Sequence, residues 1–177
     1  MISGHVFIAT SLDGFIARPD GGLDWLEHPG AGAEDHGYGA FVAGIDGILM
    51  GRATFEVVAR FDPWPYDRPL IVLSARLGPD AIPPALRDRV TLARTLPEAR
   101  AEAARRGWRR VWIDGGATIR SCLEAGLVAD MVITRIPVLI GQGVPLFGPQ
   151  RADIRLRHEE TRAFGSGLVQ SRYAVLP

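Results

Sequence analysis

Asp46-Gly47-Ile48-Leu49-Met50-Gly51-Arg52-Ala53-Thr54-Phe55-Glu56 is the stretch that decides the fold. Gly47 to Met50 ends in a continuous apolar run, the pattern of a strand buried on both faces. Gly51 follows with no connecting loop, and Thr54, Phe55 and Val58 then take up helical spacing. A strand that turns into a helix through one glycine is half of a βαβ unit. Such units build parallel sheets covered by helices on both faces.

The same alternation extends in both directions. Upstream, His5 to Thr10 is apolar and β-branched and reads as a buried strand closed by the turn Ser11-Leu12-Asp13-Gly14. Residues 17 to 37 read as a long loop, of a length that is often functional, and a helix is expected from about Asp35 to Ala43. Downstream, the prolines of Phe61-Asp62-Pro63-Trp64-Pro65-Tyr66 rule out regular structure. Leu70 to Leu73 is a third strand, and a fourth closes near Thr91. Pro97 opens a helix to Arg106; Val111-Trp112-Ile113 is a strand that runs into a helix through Leu123, and Met131 to Thr134 is another strand. Ile154 to Thr161 and Leu168 to Val175 alternate in period two around Phe164-Gly165-Ser166-Gly167, which predicts a hairpin. The expected fold is α/β: one domain over residues 1–177, three layers, and a mixed, mostly parallel sheet with a C-terminal antiparallel hairpin.

Composition narrows the function. Twenty basic and twenty acidic side chains cancel, so neither nucleic acid nor a membrane surface is an expected partner. All the basic residues are arginine, because the 177-residue sequence has no lysine. That excludes a lysine Schiff base and any phosphate loop that needs a lysine. One cysteine, Cys122, rules out an internal disulfide and fits a reducing cytosol. Its spacing from Ile119 makes it a small core residue rather than a nucleophile. Neither a signal peptide nor an 18-residue apolar run is present, so the expected location is cytoplasmic. The histidines at 5, 28, 36 and 158 lack metal spacing, and no metal is expected.

Ligands of such sheets bind at the carboxyl ends of the strands, where helix N-termini present free N–H groups. Two junctions suit an anion. At the first, Gly51 lets a phosphate approach the backbone, Arg52 supplies a forked cation and Thr54 a hydroxyl. At the second, Gly115 and Gly116 precede Ala117 and Thr118 with no Cβ to obstruct a pyrophosphate. A third strand end, Ser74-Ala75-Arg76, offers a hydroxyl and a guanidinium for the 2′-phosphate that distinguishes NADPH from NADH. Each alone is equally well read as an ordinary turn.

Together these residues carry a resemblance. Val6 to Thr10 leading into Ser11-Leu12-Asp13-Gly14-Phe15-Ile16-Ala17, then Asp24-Trp25-Leu26, Asp46 to Glu56, Ile113 to Gly116 and Pro137 to Phe147, occur in family order. The chain resembles the dihydrofolate reductase superfamily, and within it the C-terminal reductase domain of bacterial riboflavin biosynthesis enzymes. The resemblance implies NADPH as cofactor and a homodimer. It places Gly51, Arg52 and Thr54 at the cofactor phosphates, Gly115 and Gly116 at the pyrophosphate, and Ser74 and Arg76 at the 2′-phosphate. Ala9 and Thr10 would flank the nicotinamide. Asp13 and Gly14 belong to a closing loop, Trp25 to the substrate edge, and Gly143 and Phe147 to the substrate side or a dimer contact.

Two departures stand out. Reductases of the phosphoribosylamino-pyrimidine carry a lysine two residues before the position of Ala9, where this chain has Phe7. Folate reductases place a carboxylate sixteen positions before the glycine matching Gly51, which gives Asp35, with Glu34 beside it. Asp35 is therefore the candidate proton relay, although acidic residues also suit a helix's first turn. The expected activity is NADPH-dependent hydride transfer to a small pterin- or pyrimidine-like heteroaromatic, related to 5-amino-6-(5-phosphoribosylamino)uracil reductase and dihydrofolate reductase. The alternative is a non-catalytic module that senses NADPH or another nucleotide.

Overall fold

The structure, a computed structural model, describes residues 2–27 and 35–177. In chain order the elements are β1 (Ser3–Ser11), β2 (Phe15–Ala17), α1 (Tyr38–Ala43), β3 (Gly47–Gly51), α2 (Arg52–Val58), β4 (Leu70–Leu73) and β5 (Val90–Ala93). Then follow α3 (Leu96–Arg105), β6 (Arg110–Asp114), α4 (Gly116–Glu124), β7 (Val128–Ile136), β8 (Val144–Pro145), β9 (Leu156–Ala163) and β10 (Val169–Val175).

Eight strands form one sheet in the order β5-β4-β3-β6-β1-β7-β10-β9. Pairing is parallel from β5 through β7, and β10 and β9 complete the edge antiparallel. The expected mixed sheet with a terminal hairpin is what forms. Alternation along β3 shows why there are three layers. Leu49 joins Val6, Ile113 and the α4 residues Ile119 and Cys122 on one face. Ile48 and Met50 join Phe55 and Val58 of α2 on the other, with Phe41 and Val42 of α1 packed against that cluster. Successive side chains of a strand point to opposite faces, so one apolar run feeds both cores.

Three details differ from the sequence reading. Helix α1 begins at Tyr38 rather than Asp35, because His36 and Gly37 adopt positive φ (50° and 82°) and cannot continue a helix backward. The first hairpin strand lies two residues later than expected, at Leu156–Ala163, while the second ends at Val175 as read, with the turn at residues 164–168. Strands β2 and β8 pair antiparallel as a small second sheet, inside segments read as loop.

Gly47 sits where the indole of Trp108 lies directly on its backbone, so any Cβ would collide with the ring. Trp108 is buried in the core. Gly47→Ala is expected to cost about 1–3 kcal/mol through overpacking, seen as a lower denaturation midpoint at unchanged m-value.

Candidate functional site

A cavity of about 510 Å³ opens at the carboxyl ends of the central strands. Ile8 and Ala9 of β1, Gly51 of β3, Leu73 of β4 and Asp114 of β6 bring strand ends to it. Helices α2 and α4 supply Arg52, Thr54, Gly116, Ala117 and Thr118, and β2 with β8 cover one side through Ile16, Ala17 and Val144.

The two glycine junctions interlock. A Cβ on Gly51 would lie 2.8 Å from Thr118 Oγ1, and a Cβ on Gly115 would collide with the Thr54 hydroxyl. Each junction thus gives up a side chain so that the other's threonine can seat against it. Gly115 also holds φ at +84°, a backbone that disfavours any L side chain. A Cβ on Gly116 would come within 2.9 Å of the Pro145 carbonyl, so the cover strand β8 rests on bare backbone there. The glycines are required by the protein's own packing, and Gly116, Ala117 and Thr118 bring the N-terminus of α4 to the cavity wall.

Asp114, at the end of β6, is the one carboxylate on the wall among the described residues. Its Oδ1 accepts the Gly115 N–H at 2.8 Å, and its Oδ2 accepts the Tyr66 hydroxyl at 3.4 Å. It is half-buried on the cavity wall, and burial pushes its carboxyl above the usual range, against the pull of those two donors. Burial raises the Tyr66 hydroxyl far above the ordinary phenol value, with the Asp114 charge adding to it. Tyr38 shifts upward from the same two causes. The arrangement is a carboxyl of raised proton affinity that accepts the Tyr66 hydroxyl.

Of the residues singled out in the sequence, Ala9, Gly51, Arg52, Thr54, Gly115, Gly116, Ala117 and Thr118 line this cavity. Thr10 does not: it points to the opposite side of β1, into a separate groove that also includes Phe147. As neighbours on the strand, Ala9 and Thr10 point to opposite faces of the sheet. Ser74 and Arg76 lie just past Leu73, outside the cavity wall. The Ser74 hydroxyl accepts the N–H groups of Arg76 and Leu77, and Arg94 braces the loop by donating to the carbonyls of Ser74 and Leu77. Arg76 is exposed.

The substrate-side assignments fare differently. Asp13 clamps two loops, accepting from the Gly141 and Ile140 amides at 2.7 and 3.3 Å. The Ser11 hydroxyl, and after it those amides, hold its carboxyl below the usual range. Gly143 lets β8 close onto the Ala17 carbonyl, where a Cβ would collide. Trp25 is buried with Ile136, Phe164 and Leu168 in a separate cluster. Asp35 is exposed, and its carboxylate accepts the Gly39 N–H at 2.9 Å. None of these four lines the cavity. Glu34 and His28 lie outside the described residues. Cys122 is wholly buried and its thiol is pushed up to about 12 by that burial, as suits a core residue.

Asp114 and Tyr66 were missed as site residues. The signal for Asp114 was present: a carboxylate closing a buried strand directly before two glycines. Tyr66 ends a proline-rich segment, and only tertiary folding brings it to β6.

A family model described as the RibD C-terminal domain matches residues 4–170. The chain belongs to that family. A curated relative, the uncharacterized protein YwjB of Bacillus subtilis (strain 168), is 36% identical over 175 residues, covering 95% of each chain. A solved structure of a putative riboflavin biosynthesis protein from Shewanella sp. PV-4 is 38% identical, with a TM-score of 0.91, and covers 99% of this chain and 100% of that one. A pyrimidine reductase-like protein from Corynebacterium diphtheriae shares the fold at 19% identity and TM-score 0.69, covering 99% and 92%. Family and neighbours are thus of a reductase-like kind with the riboflavin-pathway fold. Among the described residues no helix is long and apolar enough to cross a membrane.

Proposed function

We propose that this chain is an NADPH-dependent reductase of a small heteroaromatic substrate, with Asp114 as the proton source. The observation that carries the reading is the conjunction of bare glycine junctions with a carboxyl of raised proton affinity on one cavity wall. When bound, NADPH supplies the hydride. Gly116 and the next amides of α4, beside the Gly115 turn, would hold its pyrophosphate, with Arg52 and Thr54 next to it. The Ser74 hydroxyl still has its proton to donate, and Arg76 is exposed next to it, so together they suit a 2′-phosphate. The apolar wall excludes water, and Asp114 meets the substrate atom that must gain a proton. The test is steady NADPH oxidation with a panel of pterins, pyrimidines and quinones. Binding without turnover of any acceptor would favour the sensor reading instead.

Because the acid form of Asp114 acts as donor, kcat is expected to fall as pH rises through its elevated pKa. A kcat that rises over that interval would remove the donor role.

A second copy of the chain is proposed as partner. Leu12, Phe147 and Leu156 are 57%, 43% and 40% exposed around the groove on the sheet face beside β7 and β10. A contiguous apolar patch of this kind on a soluble protein commonly marks an interface. Light scattering should give about 38 kDa, twice the 19.2 kDa chain. Leu156→Arg should return the chain to the monomer mass.

A further inference from the structure

We infer that the substrate of this cavity is a flat, largely apolar N-heterocycle without a phosphate or carboxylate group, an inference that rests on the reductase reading above. The case begins with the wall left over once the two glycine junctions are set aside for the cofactor. That remainder holds an apolar stretch, Leu23, Leu26, Val57, Val58 and Phe61, with no polar side-chain atom, and its polar side chains are Tyr66, Asp114, Arg120 and Ser121. A phosphate docked on the apolar stretch would lose its water and gain nothing in return.

Cations do not offset the loss. Among the described residues the cavity wall carries two, Arg52 and Arg120. Arg52 belongs to the first junction and pairs with Glu56 at 2.9 Å. Arg120 donates through one nitrogen to the carbonyls of Pro145 and Leu146, at 2.8 and 3.2 Å, which ties the β8 cover to α4. Arg18, near the rim, is held by both oxygens of Asp24 at 2.6 and 2.7 Å. Residues 28–34 read His-Pro-Gly-Ala-Gly-Ala-Glu, and the whole chain lacks lysine.

The carboxyl on the wall has the opposite preference. Asp114 lines the cavity while accepting from the Gly115 N–H and the Tyr66 hydroxyl, and a carboxyl group can also accept from a ring N–H. A ring with an N–H edge satisfies Asp114 while its faces cover the apolar wall. An anionic substituent satisfies neither.

The experiment compares a matched pair, 2-aminobenzimidazole and its 5-phosphonate, by calorimetry on the full chain with NADPH titrated in the same series. The compound without the phosphonate is expected to bind at least tenfold tighter. Asp114→Ala should cost it tenfold or more while leaving NADPH affinity within twofold. Leu26→Arg should narrow or invert the preference by placing a guanidinium on the apolar wall. Equal or tighter binding of the phosphonate by the natural chain, or binding of neither compound, overturns the inference. Phosphonate preference alongside intact NADPH binding defeats the substrate class alone, whereas absent NADPH binding defeats the reductase reading.

Discussion

Asp114→Asn is expected to lower kcat by about 100- to 10,000-fold, the range that a positioned general acid contributes, with NADPH affinity nearly unchanged. The asparagine amide has the same shape, and its oxygen can still accept the Gly115 N–H. What it lacks is the transferable proton. The high-pH fall in kcat should flatten in this variant, because the group that titrates there is gone. Asp35→Asn provides the contrast. Asp35 is exposed and caps Gly39, so turnover should stay within about twofold while the start of α1 loosens slightly. A large loss in the Asp35 variant with little in Asp114→Asn would reverse the assignment.

The second large effect is expected at Ala117. Its side chain is exposed on the cavity wall in the first turn of α4. A glutamate there suits the helix dipole, so folding should be unharmed or slightly improved. Its carboxylate, however, would occupy the amides proposed for the pyrophosphate and repel it. Ala117→Glu is therefore expected to weaken NADPH binding by about 100-fold, near 2.7 kcal/mol. The thermal shift that saturating NADPH gives the natural chain should shrink accordingly. Unchanged nucleotide affinity in a folded Ala117→Glu protein would place the diphosphate elsewhere.

The parts of the fold legible in the sequence are those decided by local pattern. The Ile48–Met50 run, Leu70–Leu73 and Val111–Ile113 are too apolar for any place except a sheet covered on both faces, and they became β3, β4 and β6. The glycines at 51, 115 and 116 were legible because each sits where a strand passes directly into a helix, and that junction is at the cavity wall. Strands β2 and β8 were illegible: at three and two residues they exist only by pairing with each other across more than a hundred positions. The late start of α1 turned on positive φ at His36, a residue type that gives no warning of it.

The site was legible on its cofactor side and poorly so on its substrate side, for a physical reason. Glycine junctions act through the backbone, which sequence adjacency fixes. Side-chain roles depend on which face a residue points to and what distant element meets it. Ala9 and Thr10 read as one pair, yet the pleat sends them to opposite sides of β1. Asp13 and Trp25 looked available, but the first holds two loop amides and the second fills a core. Asp114 gained its character from burial beside Tyr66, a neighbour 48 residues away.

The claim beneath all of this is that the two interlocked strand–helix junctions form a dinucleotide site. Titration calorimetry of the natural chain with NADPH tests it most directly. A saturable heat at one nucleotide per chain, stronger for NADPH than for NADH and abolished in Ala117→Glu, is the predicted result. No heat with either reduced nucleotide would contradict it.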